Sequence, residues 1–320
     1  MKYVSRFFAA AAALTFLGAG IGCQHSSPGV AGVPASGLWD AHTHLSWYGA
    51  SALDSLAAHG VVGVRDVGGD ALQLRAWHDS ISKGLRKGPR IFFAGPAIDG
   101  PKPDMTFRAL VKTPEDARRV VDSLADLGVD FLKTHNGVPP AAYFAVLREA
   151  RRRGLKVASH LPVGVPAWTA ADSGATSIEH AAESMTTSPI YAGYAKDADE
   201  AIRWWRSKAG DTMVVHIART GVAFTPTLVT YRAYTRLRTD PVLIARRVEA
   251  LEFLKELTGR MYRAGIPILA GSDFASPEIG LVPGQSIEEE VQLLQEAGLT
   301  PADARNAAGV NIARWLGATP

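Results

Sequence analysis

Cysteine is almost missing from this 320-residue sequence, in which Cys23 is the only one. A chain with one cysteine cannot form an internal disulfide. Hydrophobic residues make up 47% of the chain and charged residues 20%, which is an ordinary globular balance with ample material for a core. The length suits one large domain or two smaller ones.

The sequence also has no dense run of Lys and Arg with interleaved aromatic residues. Its net charge is +3, and two of the positive charges, Lys2 and Arg6, lie near the N-terminus, so that the rest of the chain carries only +1. A charge this small gives little support to nucleic-acid binding. We therefore expect no nucleic-acid partner.

The N-terminal apolar run, Phe7–Leu17, is too short to favour a permanent membrane span. It follows two cations and precedes small residues, which is the pattern of an export signal. We predict a signal peptide over residues 1–22 and a flexible tether over residues 23–36. The segment GAGIGCQ resembles a bacterial lipoprotein cleavage site with Cys23 as the lipidated residue, and plain secretion is the alternative. The protein is then expected in the bacterial cell envelope, lipid-anchored or periplasmic, with the lipid as its only link to a membrane.

From residue 37 to residue 320, short apolar runs alternate with breaks rich in Gly or Pro and with amphipathic segments. The apolar runs are Leu38–Leu45, Val61–Val67, Arg90–Ala94, Val129–His135, Leu155–His160, Ala175–His180, Val222–Leu228 and Ile266–Asp273. Eight strands alternating with helices predict an α/β fold, and specifically a (β/α)8 TIM barrel. The rival is an open doubly wound sheet, which favours a Gly-rich phosphate loop after its first strand. DAHTHLSWYGAS is not such a loop.

Several of these runs carry a residue that can bind a metal ion. His42 and His44 lie two residues apart on the first run, so both side chains project from the same side of the strand. Neutral imidazoles suit zinc and related metals, although an HxH pair alone is equally typical of two hydrogen-bonded strand histidines. Later runs contain, at or near their ends, Lys133, His160, His180 and Asp273. In a barrel these side chains would share the C-terminal rim, where barrel enzymes keep their active sites.

These motifs, in this order and strand context, resemble the amidohydrolase superfamily, and in particular its imidazolonepropionase-like and prolidase-like members. Segments similar to those of these proteins include GVVGVRDVGG, TSIEHAAE, FTPTL and AGIPILAGSD. The resemblance covers nearly all of residues 38–317. It implies a hydrolase that uses a metal-bound hydroxide to cleave a C–N bond, amide or peptide-like, of a small molecule such as a dipeptide, an N-acyl amino acid or a cyclic amide.

The resemblance also implies two divalent metal ions, with zinc as the expected metal. The implied ligands are His42, His44 and Asp273 for one ion, His160 and His180 for the other, and Lys133 between them. Lys133 would be carbamylated, because a carbamate supplies two oxygens and a negative charge between two cations. Asp273 would also carry the proton from water to the leaving group. Tyr231 is a candidate hydrogen-bond donor to the substrate oxyanion, and Tyr48 is a weaker one.

Other interpretations of single residues stay open. Lys133 is alternatively a surface lysine paired with Asp130, and Tyr231 a packing tyrosine. His135, two residues after Lys133, could face the same cavity. Arg65 and Asp66, at the end of the second run, favour a structural ion pair or hydrogen bonds over catalysis. The histidines in helical stretches are expected to be structural or solvated: His59, His78 and His216.

One expected departure concerns domain organisation. Many amidohydrolases add a small β-sandwich built from both chain ends, and we expect this chain to lack it. The barrel surface that the sandwich usually buries would then be exposed, changed in sequence, or covered by homo-oligomerisation. A phosphotriesterase or lactonase with the same metal centre is an alternative function. A non-catalytic, surface-tethered binding protein is another. A mononuclear deaminase is disfavoured, because HLPVGVP after the fifth run has no acidic proton shuttle.

Overall fold

The structure, a computed structural model, describes residues 37–103, 106–182 and 198–317. The predicted signal peptide, the tether and Cys23 lie outside the described residues. Within those ranges, no helix combines the length and the apolar character needed to cross a membrane.

Short parallel strands form the centre of the fold. Those in the described residues are β1 (Leu38–Thr43), β2 (Val61–Asp66), β3 (Arg90–Phe93), β4 (Ala97–Asp99), β5 (Arg108–Leu110), β6 (Leu132–Thr134), β7 (Val157–Ser159), β8 (Ser177–Glu179) and β9 (Ala223–Thr225). One sheet has the order β1-β2-β3 and the other β5-β4-β6-β7-β8-β9, and every pairing is parallel. The predicted α/β fold with parallel sheets is confirmed.

Helices follow most of the strands. They are α1 (Leu45–Tyr48), α2 (Ser51–Ala58), α3 (Ala71–Ser82), α4 (Pro114–Asp126), α5 (Pro140–Arg152), α6 (Ala167–Ser173), α7 (Ala198–Trp205), α8 (Lys208–Thr220), α9 (Leu228–Arg236), α10 (Pro241–Arg263), α11 (Gln285–Glu296), α12 (Pro301–Ala307) and α13 (Val310–Leu316). The TPED segment begins α4 as predicted: Thr113 and Asp116 form a capping box, and Pro114 occupies the first helical position, where its missing N–H is not needed.

The last predicted strand, Ile266–Asp273, forms isolated bridges instead of a regular strand. Ile268 bridges to β9, and Phe274 bridges to β1. The backbone N–H of Asp273 donates to the carbonyl oxygen of His42 at 2.7 Å. The segment over residues 266–274 therefore lies between one edge of each sheet, and it brings Asp273 beside the strand that carries the two HxH histidines.

Four further predictions of boundaries need correction. The region Gly95–Lys112, predicted as a connection, contains β4 and β5, and the connection Ala181–Asp211 contains α7. The predicted strand Val222–Leu228 is shorter, because α9 already begins at its last residue. The predicted helix Pro301–Leu316 is two helices, because the backbone of Gly309 is far from helical values at φ −164° and ψ −106°.

The strands turn alternate side chains toward two hydrophobic clusters. Ile91 and Phe93 of β3 pack with apolar residues of the helices. Phe92, between them, joins a second cluster that includes Trp39 of β1 and Ala223 of β9. This is the alternation that a pleated strand imposes on its side chains. Strands of both sheets thus contribute to one inner core, which lies beneath the carboxyl ends of the strands.

Gly271 allows the 266–274 segment to approach β1. A Cβ at this position would lie 2.6 Å from the Cβ of His42, closer than real Cβ atoms approach. We expect Gly271→Ala to push the segment away and to lower the free energy of unfolding by about 1–3 kcal/mol, measured by urea denaturation. Gly68→Ala is the matched control, since its nearest contact would be an ordinary 3.4 Å. Equal losses in the two variants would contradict the steric argument.

Candidate metal centre

Side chains from several strand ends meet above the inner core. Ligand atoms of His42, His44 and Asp273 all lie within 4.8 Å of one another, and we call these three residues the triad. The Nε2 atoms of His42 and His44 are 3.4 and 3.3 Å from Oδ1 of Asp273. His42 is fully buried, whereas the side chain of Asp273 is 18% exposed. The His42 end of the triad is therefore closed to solvent, and the Asp273 end is partly open to it.

The other three predicted ligands lie beside the triad. The ring centroid of His180 is 4.6 Å from that of His42 and 4.8 Å from that of His160. Lys133 is only 2% exposed. These residues and the triad line a single cavity of about 460 Å³. The structure thus brings together all six residues that the sequence analysis selected as metal ligands.

Lys133 is not a surface residue, and its alternative pairing with Asp130 is wrong. The carboxylate of Asp130 instead accepts a hydrogen bond from the backbone N–H of Phe93 at 2.9 Å. Burial lowers the pKa of Lys133 to about 8, although the charges of Glu179 and Asp273 oppose this shift. More of the amine is then neutral near neutral pH than in an ordinary lysine, and the neutral amine is the form that can add to CO2.

In three of the histidines the Nδ1 atom is within hydrogen-bond distance of a protein oxygen, which leaves Nε2 as the nitrogen for a metal ion. The partners are Glu179 Oε2 for His42 (2.8 Å), the carbonyl oxygen of Gly68 for His44 (3.1 Å) and Thr227 Oγ1 for His180 (2.9 Å). Such contacts fix the orientation and the tautomer of metal-binding histidines. The Nε2 of His42, although buried, makes no hydrogen bond within the described part of the chain. Burial lowers the pKa of His42 and of His180 well below the usual value, so both rings are neutral, as ligation requires.

Glu179, which orients His42, is itself held by Arg65. Both side chains are completely buried, and Nη2 of Arg65 donates to the two carboxylate oxygens at 2.8 and 2.7 Å. Burial opposes ionisation of Glu179, but Arg65 and Lys133 hold the pKa of its carboxyl below the usual value. The expected ion-pair role of Arg65 is confirmed. Asp66 is also structural, since its carboxylate accepts hydrogen bonds from the backbone N–H groups of Leu45 and Gly68.

Backbone strain is concentrated at this site. Among the described residues, four that are not glycine have positive φ, and three of them line the cavity: His180 (64°), Thr227 (49°) and Asp273 (52°). Left-handed backbone is unfavourable for such residues and persists where the surroundings impose it, often at functional sites. The strain thus marks the positions at which the fold sets the direction of functional side chains.

The helix that follows Thr227 is capped from another part of the chain. Thr227 uses its hydroxyl for His180 and provides no side-chain cap to α9. Glu290 of α11 replaces it, because its two carboxylate oxygens accept from the backbone N–H groups of Leu228 (3.1 Å) and Val229 (2.8 Å). Burial raises the pKa of Glu290 to about 8. The first turn of α9 is therefore anchored by a buried acid of another helix.

Tyr231, on α9, lines the cavity and is partly buried. Burial raises its pKa, so the hydroxyl stays a hydrogen-bond donor at neutral pH. Tyr48 is not among the lining residues, and its ring instead packs edge-on against Phe274 at 5.5 Å between centroids. The geometry therefore favours Tyr231 over Tyr48 as a group that can reach a bound molecule.

His135 faces the same cavity, as one alternative allowed. Its ring centroid lies 4.6 Å from that of His160, and its Nδ1 is 3.1 Å from Oδ2 of Asp99. The helical histidines lie elsewhere, as predicted, and they contact nearby oxygen atoms: His59 with Ser55, His78 with Asp79 and His216 with Asp172.

Sequence reasoning missed several residues of the cavity wall. Trp47 stacks on His44 with 4.5 Å between ring centroids, and Arg108 lies 5.4 Å from the centre of the Trp47 ring. Tyr234, Arg238 and Arg247 also line the cavity. The signal for Glu179 was present, because a carboxylate directly before His180 interrupts an apolar run. The lining residues of α9 and α10 carried no such signal, since their helical pattern is that of any partly exposed helix.

Comparison with known proteins identifies the fold. No protein-family model matches the sequence, and no curated protein matches it. A bottromycin amidohydrolase superposes with a TM-score of 0.70 and 24% identity, over 88% of this chain and 67% of that chain. A Xaa-Pro dipeptidase with bound methionine in its active site gives 0.65 and 18%, over 88% and 75%. Ochratoxinase from A. niger gives 0.65 and 17%, over 88% and 71%. The chain thus shares the fold of these hydrolases.

The Arg65–Glu179 pair predicts the effect of removing one charge. We expect Glu179→Gln to lower the free energy of unfolding by about 3–5 kcal/mol, because a buried guanidinium loses its partner. We also expect metal affinity to fall about 10–100-fold, because His42 loses an anionic hydrogen-bond acceptor. Urea denaturation and metal titration measure the two effects.

The matched control for this variant is Glu256→Gln. Glu256 forms an exposed ion pair with Arg206, whose loss should change the free energy of unfolding by less than about 1 kcal/mol. Normal metal affinity in Glu179→Gln would show that Glu179 does not support the metal centre.

Proposed function

We propose that this protein is a metal-dependent amidohydrolase that cleaves an amide-like C–N bond of a small molecule. The observation that carries the proposal is the convergence of the triad with His160, His180 and Lys133 around one cavity. The fold shared with amidohydrolases supports the same conclusion. A binding protein would have no need of six potential metal ligands around one cavity, three of them histidines whose rings are oriented by a contact at Nδ1.

The donor set fits two divalent ions, with zinc as the expected metal. The triad would hold one ion and His160 with His180 the other, and a carbamate on Lys133 would bridge them. The neutral imidazoles and the unpartnered Nε2 of His42 support this assignment. Such ions would supply a nucleophile at neutral pH and polarise the scissile carbonyl.

Asp273 and Tyr231 would act on the substrate itself. Oδ1 of Asp273 faces the Nε2 atoms of the triad histidines, and Oδ2 is 3.8 Å from Nδ1 of His180. Asp273 would take the proton of the attacking water and deliver it to the leaving nitrogen. The Tyr231 hydroxyl, kept protonated by its raised pKa, would donate a hydrogen bond to the substrate oxyanion.

Cationic side chains on one wall favour a substrate with a free carboxylate. Arg238 and Arg247 line the cavity and form no ion pair within the described residues. Arg247 lies 5.6 Å from the centre of the Tyr231 ring, so it is close to the proposed oxyanion donor. Guanidinium groups bind carboxylates with two parallel hydrogen bonds. A dipeptide or an N-acyl amino acid has a carboxylate that these arginines can bind, whereas a cyclic amide without a carboxylate does not.

The architecture and location that we propose follow from the same features. The hydrogen bonds of the 266–274 segment to β9 and β1, together with the shared inner core, support a closed eight-stranded barrel. The leader over residues 1–22 supports export, with Cys23 as the lipidated residue.

The first test is metal analysis of the full-length protein, purified in a non-ionic detergent after growth with zinc and bicarbonate. We expect about two metal ions per chain, and a clear loss in Lys133→Ala because the bridging group is missing. Lys112→Ala, which removes an exposed lysine, should retain both ions. About one ion in both the parent and Lys133→Ala would overturn the bridge, and none in either would favour a binding protein.

The second test is a substrate panel of dipeptides, N-acyl amino acids, lactones and phosphotriesters. We expect the first two classes to be hydrolysed, and Arg238→Gln to raise KM about tenfold or more with little change in kcat, because it removes a contact to the substrate carboxylate. Arg236→Gln, a change on the same region of the surface where the residue pairs with Glu289, is the control. Preferential hydrolysis of lactones or phosphotriesters would replace the proposed activity.

A further inference from the structure

A second cavity opens at the opposite, amino-terminal ends of the strands. Its volume is about 680 Å³, compared with about 460 Å³ for the cavity of the metal centre. Its lining includes the residues directly before β7, β8 and β9, which are Lys156, Thr176 and Val222. Lys156 lines this cavity and His160 lines the other, and four residues along a strand correspond to about 13 Å between their Cα atoms. The two cavities have no lining residue in common.

Positive charge dominates the lining of this cavity. Arg151 of α5, Lys156 and Arg314 of α13 contribute three cations. Both arginines are exposed, and neither forms an ion pair within the described ranges. The one lining carboxylate, Asp172, is bound by Nε2 of His216 at 2.9 Å. Three cations against one carboxylate leave an excess of two positive charges.

The fold leaves space for one of the cationic groups and holds another in place. A Cβ on Gly174 would lie 2.6 Å from Nη2 of Arg151, so the glycine makes room for this guanidinium. Nζ of Lys156 donates to the carbonyl oxygen of Trp315 and lies 5.3 Å from the centre of the indole ring. The indole is fixed in turn, because its N–H donates to the carbonyl oxygen of Thr176 at 3.0 Å.

Another part of the lining is apolar. It consists of Ala171, Ala175, Val222, Ala223, Pro267 and Leu269, with the indole of Trp315 beside Lys156. A ligand that matches both parts has an anionic end and a small apolar body. Inorganic anions would use only the cationic part.

We propose that this cavity is a second ligand site, which takes a phosphate monoester with a small apolar body. A phosphate monoester carries about −1.5 to −2 charges near neutral pH, which matches the excess of two positive charges. A monocarboxylate would leave about one of these charges unmatched. Guanidinium groups bind phosphate oxygens through paired hydrogen bonds, and an ammonium adds a point charge.

The same chemical group can come from a soluble ester or from a lipid headgroup. Gly37 and Val310, the first residue of α13, line one smaller cavity at this end of the molecule. The predicted tether, which precedes Gly37 in the chain, therefore leads to the end that carries the second site. If Cys23 is lipidated, lipid headgroups are one available source of the phosphate group.

The test is calorimetric titration of full-length protein in non-ionic detergent micelles with phenyl phosphate, with inorganic phosphate, and with phosphatidic acid added to the micelles. Each titration is repeated after chelation, because phosphate also binds metal ions. The double variant Arg151→Gln with Arg314→Gln removes the two guanidiniums. Its matched control is Arg148→Gln with Arg305→Gln, which removes one exposed cation from α5 and one from α12.

We expect phenyl phosphate to bind more tightly than inorganic phosphate, and the double variant to weaken its binding about 10–100-fold. The control pair should bind within about twofold of the parent, with the same thermal unfolding curve in all three proteins. No saturable binding of phenyl phosphate, or an equal loss in the control pair, would overturn the site. Binding of phosphatidic acid alone would replace the soluble ester by a lipid headgroup, and hydrolytic activity decides the proposed function separately.

Discussion

The buried ion pair between Arg65 and Glu179 is the interaction on which the arrangement of the candidate metal centre depends. Arg65 donates to the carbonyl oxygen of Ala41 and to the hydroxyls of Ser177 and Thr225, so one side chain contacts β1, β8 and β9. Its guanidinium lies 4.5 Å from the centre of the Trp315 ring, at the top of the inner core. Two buried charges are tolerated because each has the other as its partner and further hydrogen bonds around it. The apolar interior and the candidate metal ligands are therefore linked through Arg65 and Glu179.

The regular part of the fold could be predicted from the sequence, and the irregular part could not. Alternating apolar patterns and the Thr113 capping box indicate strands and helices because they depend on neighbouring residues alone. The 266–274 segment depends on two partners, one at β9 and one at β1, so its own pattern suggested a regular strand. Helix α9 was missed because its start was predicted as part of a strand, and because the group that caps it, Glu290, is about 60 residues away in sequence.

The same distinction applies to the site. The spacing of His42 and His44 alone shows that their side chains share one side of the strand. Glu179 and Arg65 are 114 residues apart in sequence. Their pairing follows from the order of the strands in the sheets, which no local pattern contains. The arginines of the cavity wall likewise become recognisable only when α9 and α10 are packed.

Helix α9 begins on a carboxylate supplied by α11, while the hydroxyl of Thr227 is committed to His180. The groups that hold the ligands and the group that anchors the Tyr231 helix are therefore different residues on different elements. Sequence changes in α10 and α11 can remodel the wall without touching a histidine. In evolutionary terms, the histidine cluster and the outer helices that support the cavity wall can vary separately, so the shape of the cavity can drift while the cluster stays intact.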